Sequence, residues 1–153
     1  MALNQTQAAA LAAGYTAAWN SGSAAAVAEF YAANGAIVIN RGTPWLGRAG
    51  IVAMAEGFYG DVPDLEVICD EIRLLGDHVV FLWTFTGHHV GTRNPLTIVG
   101  CEEWDLDDAG KIAASRGWYD AADYARQVAG TARVAAGRRD AGTLQRNLRQ
   151  VYP

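Results

Sequence analysis

Glu102 is the side chain that chemistry singles out first. Within the stretch TIVGCEEWDLDDAGKIAASRGWYD, residues 97–120, a period of two puts Ile98, Gly100, Glu102, Trp104 and Leu106 on one face of a strand. Thr97, Cys101, Glu103 and Asp105 fall on the other. A carboxyl on an otherwise apolar face is neutral, paired with a cation such as Arg116 on the next strand, or turned toward a cavity, because burying a bare carboxylate costs several kcal/mol or more. Without a cation, desolvation lifts its pKa above the ordinary value near ~4.3 and leaves a neutral donor. Tyr15 falls on the buried stripe of a helix, as a phenol that either donates into a site or packs in the core. His88 shares a strand face with Thr84 and Thr86, and its ordinary pKa near ~6.5 suits a base at a cavity mouth as well as a rim histidine. Adjacent His88 and His89 point to opposite faces and do not chelate one ion, so no metal is expected. Cys69 and Cys101 match no metal or redox spacing, and there is no phosphate loop, nucleophile elbow or Cys/His pair, so no cofactor is expected.

These groups need elements to hold them. Leu11, Tyr15, Ala18 and Trp19 recur at helical spacing, which predicts a helix over Thr6 to Trp19 stopped by Asn20-Ser21-Gly22. A second helix is expected from Ser23 as N-cap through Val27, Phe30 and Tyr31, ending at Asn34-Gly35, with a short strand over Ala36 to Asn40. Beyond a loop carrying Trp45, a third helix presents Ile51, Met54 and Phe58. From Leu65 onward the pattern turns to β: one strand to Leu75, a long strand His78 to His89, and a hairpin turning at Asp107-Asp108-Ala109-Gly110. A final helix over Ala121 to Val128 follows Asp120, most simply its cap. Val79, Phe81, Trp83 and Phe85 give the long strand a second apolar face, for which a partner sheet is the simplest cover, so a homodimer is expected.

Length and charge bound the rest. At 153 residues one core is enough, able to bury roughly two thirds of the unfolded surface. Residues 1–129 carry 7 basic and 15 acidic side chains, net −8, and residues 130–153 carry 5 and 1, net +4. This split yields a domain over 1–129 and an arginine-rich extension over 130–153 with a helix from Thr143. Its five arginines most simply form a solvated face. The overall charge of −4 argues against a nucleic-acid surface along the whole chain. With no signal-peptide start and no apolar run near the ~20 residues of a span, a soluble cytoplasmic protein is expected, with no membrane partner. Five tryptophans exceed what packing asks for, and such aromatics line ligand cavities or interfaces.

The order of elements resembles the cone-shaped α+β fold of the nuclear transport factor 2-like superfamily, with three N-terminal helices on a curved antiparallel sheet enclosing a cavity. Tyr15-Thr16-Ala17-Ala18-Trp19-Asn20-Ser21-Gly22 is similar to that superfamily's first-helix signature, and Gly87-His88-His89-Val90-Gly91 resembles a mid-sheet segment of SnoaL-like polyketide cyclases. Asp108-Ala109-Gly110-Lys111-Ile112 through Trp118-Tyr119-Asp120 resembles the hairpin of those cyclases, of limonene epoxide hydrolase and of ketosteroid isomerase. The resemblance implies an oxyanion-hole role for Tyr15, a protonated acid at Glu102, and an asparagine at Asn40 that orients substrate or water. It also brings departures: Gly117 stands where two of these families have a working aspartate, Thr84 and Thr86 replace an Arg/Asp pair, and Trp104 replaces a histidine.

The expected activity is therefore cofactor-independent acid–base chemistry, as an isomerase, cyclase, dehydratase or epoxide hydrolase. The expected substrate is a small apolar oxygen-containing molecule. Glu102, Tyr15, His88 and Asn40 are the candidate catalytic residues, and Trp19, Trp45, Thr84, Thr86, Trp104 and Trp118 the candidate substrate-binding ones. A non-catalytic ligand-binding or dimerisation module of the same fold stays open as the alternative.

Overall fold

The computed structural model describes residues 3–130. The expected helix from Thr143 lies outside them. The first helix, α1 (Gln5–Asn20), starts at a capping box in which the Asn4 side chain accepts from the Gln7 amide at 2.8 Å and the Gln7 side chain accepts from the Asn4 amide at 2.9 Å. Ser23 caps the short α2 (Ala24–Ala28) by accepting from the Ala26 amide. Strand β1 (Tyr31–Ile39) and the two-residue β2 (Trp45–Leu46) precede α3 (Gly47–Asp61). The remainder is β3 (Glu66–Leu75), β4 (His78–His88), β5 (Pro95–Leu106), β6 (Ile112–Tyr119) and α4 (Ala121–Ala129). Asp120 does cap α4, accepting from the Asp123 amide at 2.9 Å.

The strands form one six-stranded sheet in the order β2-β1-β6-β5-β4-β3, antiparallel throughout except for the β1–β6 pair. The core lies between one face of this sheet and helices α1 and α3. Ala8, Ala12 and Tyr15 of α1 and Ile51 and Ala55 of α3 are buried against Val79, Phe81, Ile98, Trp104 and Ile112. Among the described residues no helix is long and apolar enough to cross a membrane.

Two sequence expectations are corrected here. The second helix stops at Ala28, and Tyr31 opens a strand instead of lying on a helix. Asn34-Gly35, read as a helix stop, sits inside β1 where the register with β6 shifts, and a Cβ on Gly35 would lie 2.7 Å from the Ile112 carbonyl oxygen. The turn signal serves a bulge. The second correction concerns β4. Directly paired residues share a face, and the register sets Val79 opposite Trp104, Phe81 opposite Glu102 and Phe85 opposite Ile98. The Trp83 face is thus the inner one, covered by the chain's own helices: Tyr15 meets Phe81 and Phe58 meets Phe85 at ring-centroid distances of 5.6 and 6.3 Å. It needs no partner sheet, and the ground given for a homodimer is removed.

Candidate active site

The inner face of the β5–β6 hairpin carries Glu102, and α1, β1 and β6 surround its carboxyl with donors. The Trp104 indole N–H donates to Oε2 at 2.7 Å and Ser115 Oγ donates to the same oxygen at 3.2 Å. The Tyr15 hydroxyl lies 3.2 Å from Oε1 and 3.1 Å from Oε2, and also 3.1 Å from the Tyr31 hydroxyl. Trp104 comes from two residues along the same strand, Ser115 from the position paired with it, and Tyr31 from the start of β1. Arg116, the cation expected as a partner, faces outward and donates to Asp105 at 3.1 Å.

Only 7% of Glu102 is exposed, and this burial pushes its pKa above the ordinary value, against the opposing pull of hydrogen bonds from Trp104, Tyr15, Ser115 and Tyr31. Burial, reinforced by the charge Glu102 would carry, drives the Tyr15 and Tyr31 phenols well above their usual range, so both keep their protons. An indole N–H only donates, so Oε2 accepts from Trp104 whether the carboxyl is ionised or neutral. The Tyr15 hydroxyl, within reach of both Glu102 oxygens and of Tyr31, can donate to an ionised carboxyl or accept from a neutral one.

Glu102 borders a cavity of about 50 Å³. Its walls are Trp19, Ile37, Ile39, Met54, Phe58, Leu65, Val67, Phe81, Trp83 and Phe85, with Glu102, Gly117, Trp118 and Tyr119 at the β6 side. Among the described lining residues only Glu102 and Tyr119 titrate, and burial followed by the nearby Asp61 charge raises Tyr119. No group of three or more His, Cys, Asp or Glu is arranged to hold a metal among the described residues.

The expected site residues thus divide. Glu102 and Tyr15 meet, Trp104 lies beneath the carboxyl as a donor, and Trp19 lines the cavity. Trp118 borders the cavity but pairs with Cys101 on the outer face, where its indole N–H donates to Glu103 at 2.8 Å, so its ring is not turned to the inner face as expected. His88, Thr84 and Thr86 occupy the outer face of β4. There His88 Nδ1 is 2.6 Å from Asp64 Oδ2, and Thr84 donates to Asp70 at 2.6 Å. His88 is therefore no cavity base. Its contacts hold the Asp64 carboxyl below the usual range. Asn40 is a clamp: it has φ 50°, its amide donates to the Gly117 carbonyl at 2.8 Å, and its side-chain oxygen accepts from the Tyr119 amide at 3.0 Å. Trp45 is 40% exposed on the edge strand and does not line the cavity. Tyr31 and Ser115 were missed. Ser115 could have been found by carrying the hairpin register across the turn to Trp104; Tyr31 was hidden by the Asn34-Gly35 signal.

A SnoaL-like domain model matches residues 12–115. No curated protein matches in sequence. Among solved structures, a hypothetical protein from Catenulispora acidiphila with a ketosteroid isomerase-like fold, in complex with trimethylamine, superposes with a TM-score of 0.72 at 20% identity, over 78% of this chain and 92% of that one. A candidate SnoaL-like polyketide cyclase from Jannaschia sp. CCS1 gives 0.71 at 17% identity, over 83% and 94%. SalBIII, an epoxide hydrolase/cyclase-like enzyme with a role in pyran ring formation in the polyether salinomycin, gives 0.70 at 17% identity, over 78% and 95%. At these identities the likeness is one of fold.

Proposed function

The chain belongs to the SnoaL-like domain family, and from that premise we propose that it is a general-acid isomerase or cyclase for a small apolar molecule carrying an oxygen. The observation that carries this reading is a carboxyl with raised proton affinity at the wall of an otherwise apolar cavity, held by neutral donors and, among the described residues, by no arginine. Glu102 gives its proton to an epoxide, ether or carbonyl oxygen as a bond to that oxygen weakens. The carboxylate left behind is stabilised where it stands, since Trp104 and Ser115 already aim N–H and O–H groups at it and the Tyr15 hydroxyl is in place to donate as well. A hydroxyl of the substrate itself then closes a ring on the side away from Glu102; its proton passes to water, and Glu102 regains one from water. Substrate and product are isomers, and the acid is regenerated.

This sequence suits one titrating carboxyl better than hydrolysis does. An untethered water must be both positioned and activated on the far side of an epoxide, and neither His88 nor Asn40 reaches the cavity, whereas a hydroxyl of the substrate is positioned by its own tether. The SalBIII description, which joins an epoxide hydrolase-like scaffold to ring formation, is consistent with this choice. A second reading, a ligand-binding module without turnover, draws on Gly117, which puts no second acid beside Glu102.

The test is incubation with short-chain hydroxy-epoxides and analysis for a ring-closed product of unchanged mass. The expected result is conversion by the wild type and a loss of about a hundredfold or more in Glu102→Gln, the usual scale for removing a general acid. Binding without conversion supports the module, and an equally active Gln variant overturns the assignment of Glu102.

A further inference from the structure

Gly117 lies on β6 directly opposite Glu102, buried, on the inner face of the sheet. Glycine weakens a strand, so its presence there asks for a reason, and the ordinary reasons are a left-handed backbone or a collision of any side chain with neighbours. Other glycines of the sheet show both. Gly87 has φ 157°, and a Cβ on it would strike Val62 and lie 2.9 Å from Asp64 Oδ1. Gly100 would drive a Cβ into the Trp118 carbonyl oxygen and to 2.6 Å from the Trp83 ring.

Neither reason applies at Gly117. Its φ is outside the left-handed region, and a Cβ built on it meets Ile39 Cγ1 at 3.4 Å, Ile37 Cδ1 at 3.8 Å and Glu102 Cγ at 3.9 Å, all ordinary contacts. An alanine fits. A buried strand glycine that neither backbone nor packing requires marks the approach of something else, and Gly117 lines the cavity. We propose that Gly117 is a substrate-contact position whose missing side chain keeps open a methyl-sized recess between Ile37, Ile39 and Glu102, seating the oxygen-bearing end of the ligand against the carboxyl. The assignment rests on the reading of Glu102 as the acid, and it makes residue 117 the position that sets how bulky that end is.

The test uses the whole chain, wild type and Gly117→Ala, with two isosteric probes: cyclohexanone, which accepts a hydrogen bond, and methylenecyclohexane, which does not. Affinities come from NMR titration, following the Trp104 indole N–H. The wild type is expected to prefer the ketone. The alanine variant is expected to melt at the wild-type temperature or slightly above, and to bind cyclohexanone about tenfold more weakly, the scale of one lost hydrogen bond. Ketone affinity unchanged in Gly117→Ala overturns the recess while leaving Glu102 as the acid. A melting point lowered by the added methyl overturns it too, since the glycine is then structural. Failure of the wild type to distinguish the probes is seen without any variant; it removes the donor role of Glu102 and this assignment with it.

Discussion

Glu102 and Asp105 sit three residues apart on one strand, yet the two faces of the sheet treat their carboxyls in opposite ways. Inside, Glu102 has burial against it and, among the described residues, only neutral donors around it, and its pKa is raised. Outside, Asp105 lies 2.9 Å from His78 Nδ1 and 3.1 Å from Arg116 Nη1, and these contacts, His78 first, hold it below the usual carboxylate range. Strand parity alone moves a carboxyl from water and cations to aromatic walls and hydroxyls. Acidity here is assigned by face, and the inner face is the one built for giving a proton.

The comparison is broken most severely by removing the inner acid. Beyond the loss of activity in Glu102→Gln, Glu102→Ala leaves the buried Tyr15, Trp104 and Ser115 donors without their acceptor. Each such loss costs about 1–3 kcal/mol, and thermal unfolding is expected to show a larger drop for Ala than for Gln. Next in size is Trp104→Phe, which removes the 2.7 Å bond to Oε2 and one ring's worth of fully buried volume. It is expected to cost about 1–2 kcal/mol and to raise the Glu102 pKa further, because that bond favours the ionised form. Tyr15→Phe acts in the same direction, and carboxyl NMR on both variants checks the shift.

The outer face is expected to respond least. Arg116 and Asp105 are 40% and 50% exposed, so screening by water keeps their pair within about 1 kcal/mol, and chemical denaturation of Arg116→Ala should show a change no larger. The pH dependence sharpens the contrast by its sign. The raised folded pKa of Glu102 means the native state binds the extra proton more tightly. Its contribution is full below the ordinary carboxyl pKa and is lost as pH rises through the folded value. Asp105, with a depressed folded pKa, contributes above the ordinary value and loses that contribution as pH falls through the folded one. Stability profiles of Glu102→Gln and Asp105→Asn should therefore flatten on opposite sides of the ordinary carboxyl pKa.

How much of this could be read from the chain depended on whether one strand's pattern was decisive by itself. The hairpin alternates on both sides of Glu102, broken only by Cys101, which is buried on the other face, so its inner face, its turn and its lone carboxyl were legible. The long strand was not: Val79, Phe81, Trp83 and Phe85 compete with a mixed face holding Thr84 and Thr86, and only the pairing of Phe81 with Glu102 shows which looks inward. That single ambiguity sent His88 to the cavity and the Trp83 face to a partner. Tyr31 was lost to an Asn-Gly pair whose turn signal is the same in a helix stop and a strand bulge. Asn40, brought in by resemblance, keeps its residue type and spends its amide and side-chain oxygen on the backbone of β6.

Glu102 as a neutral acid at the cavity wall is open to carbon NMR titration of its carboxyl, with Glu102→Gln for assignment and the Trp104 indole N–H followed alongside. The expected midpoint lies above the ordinary value near ~4.3, with the indole signal moving through the same pH range. A Glu102 carboxyl titrating at or below that value would contradict it.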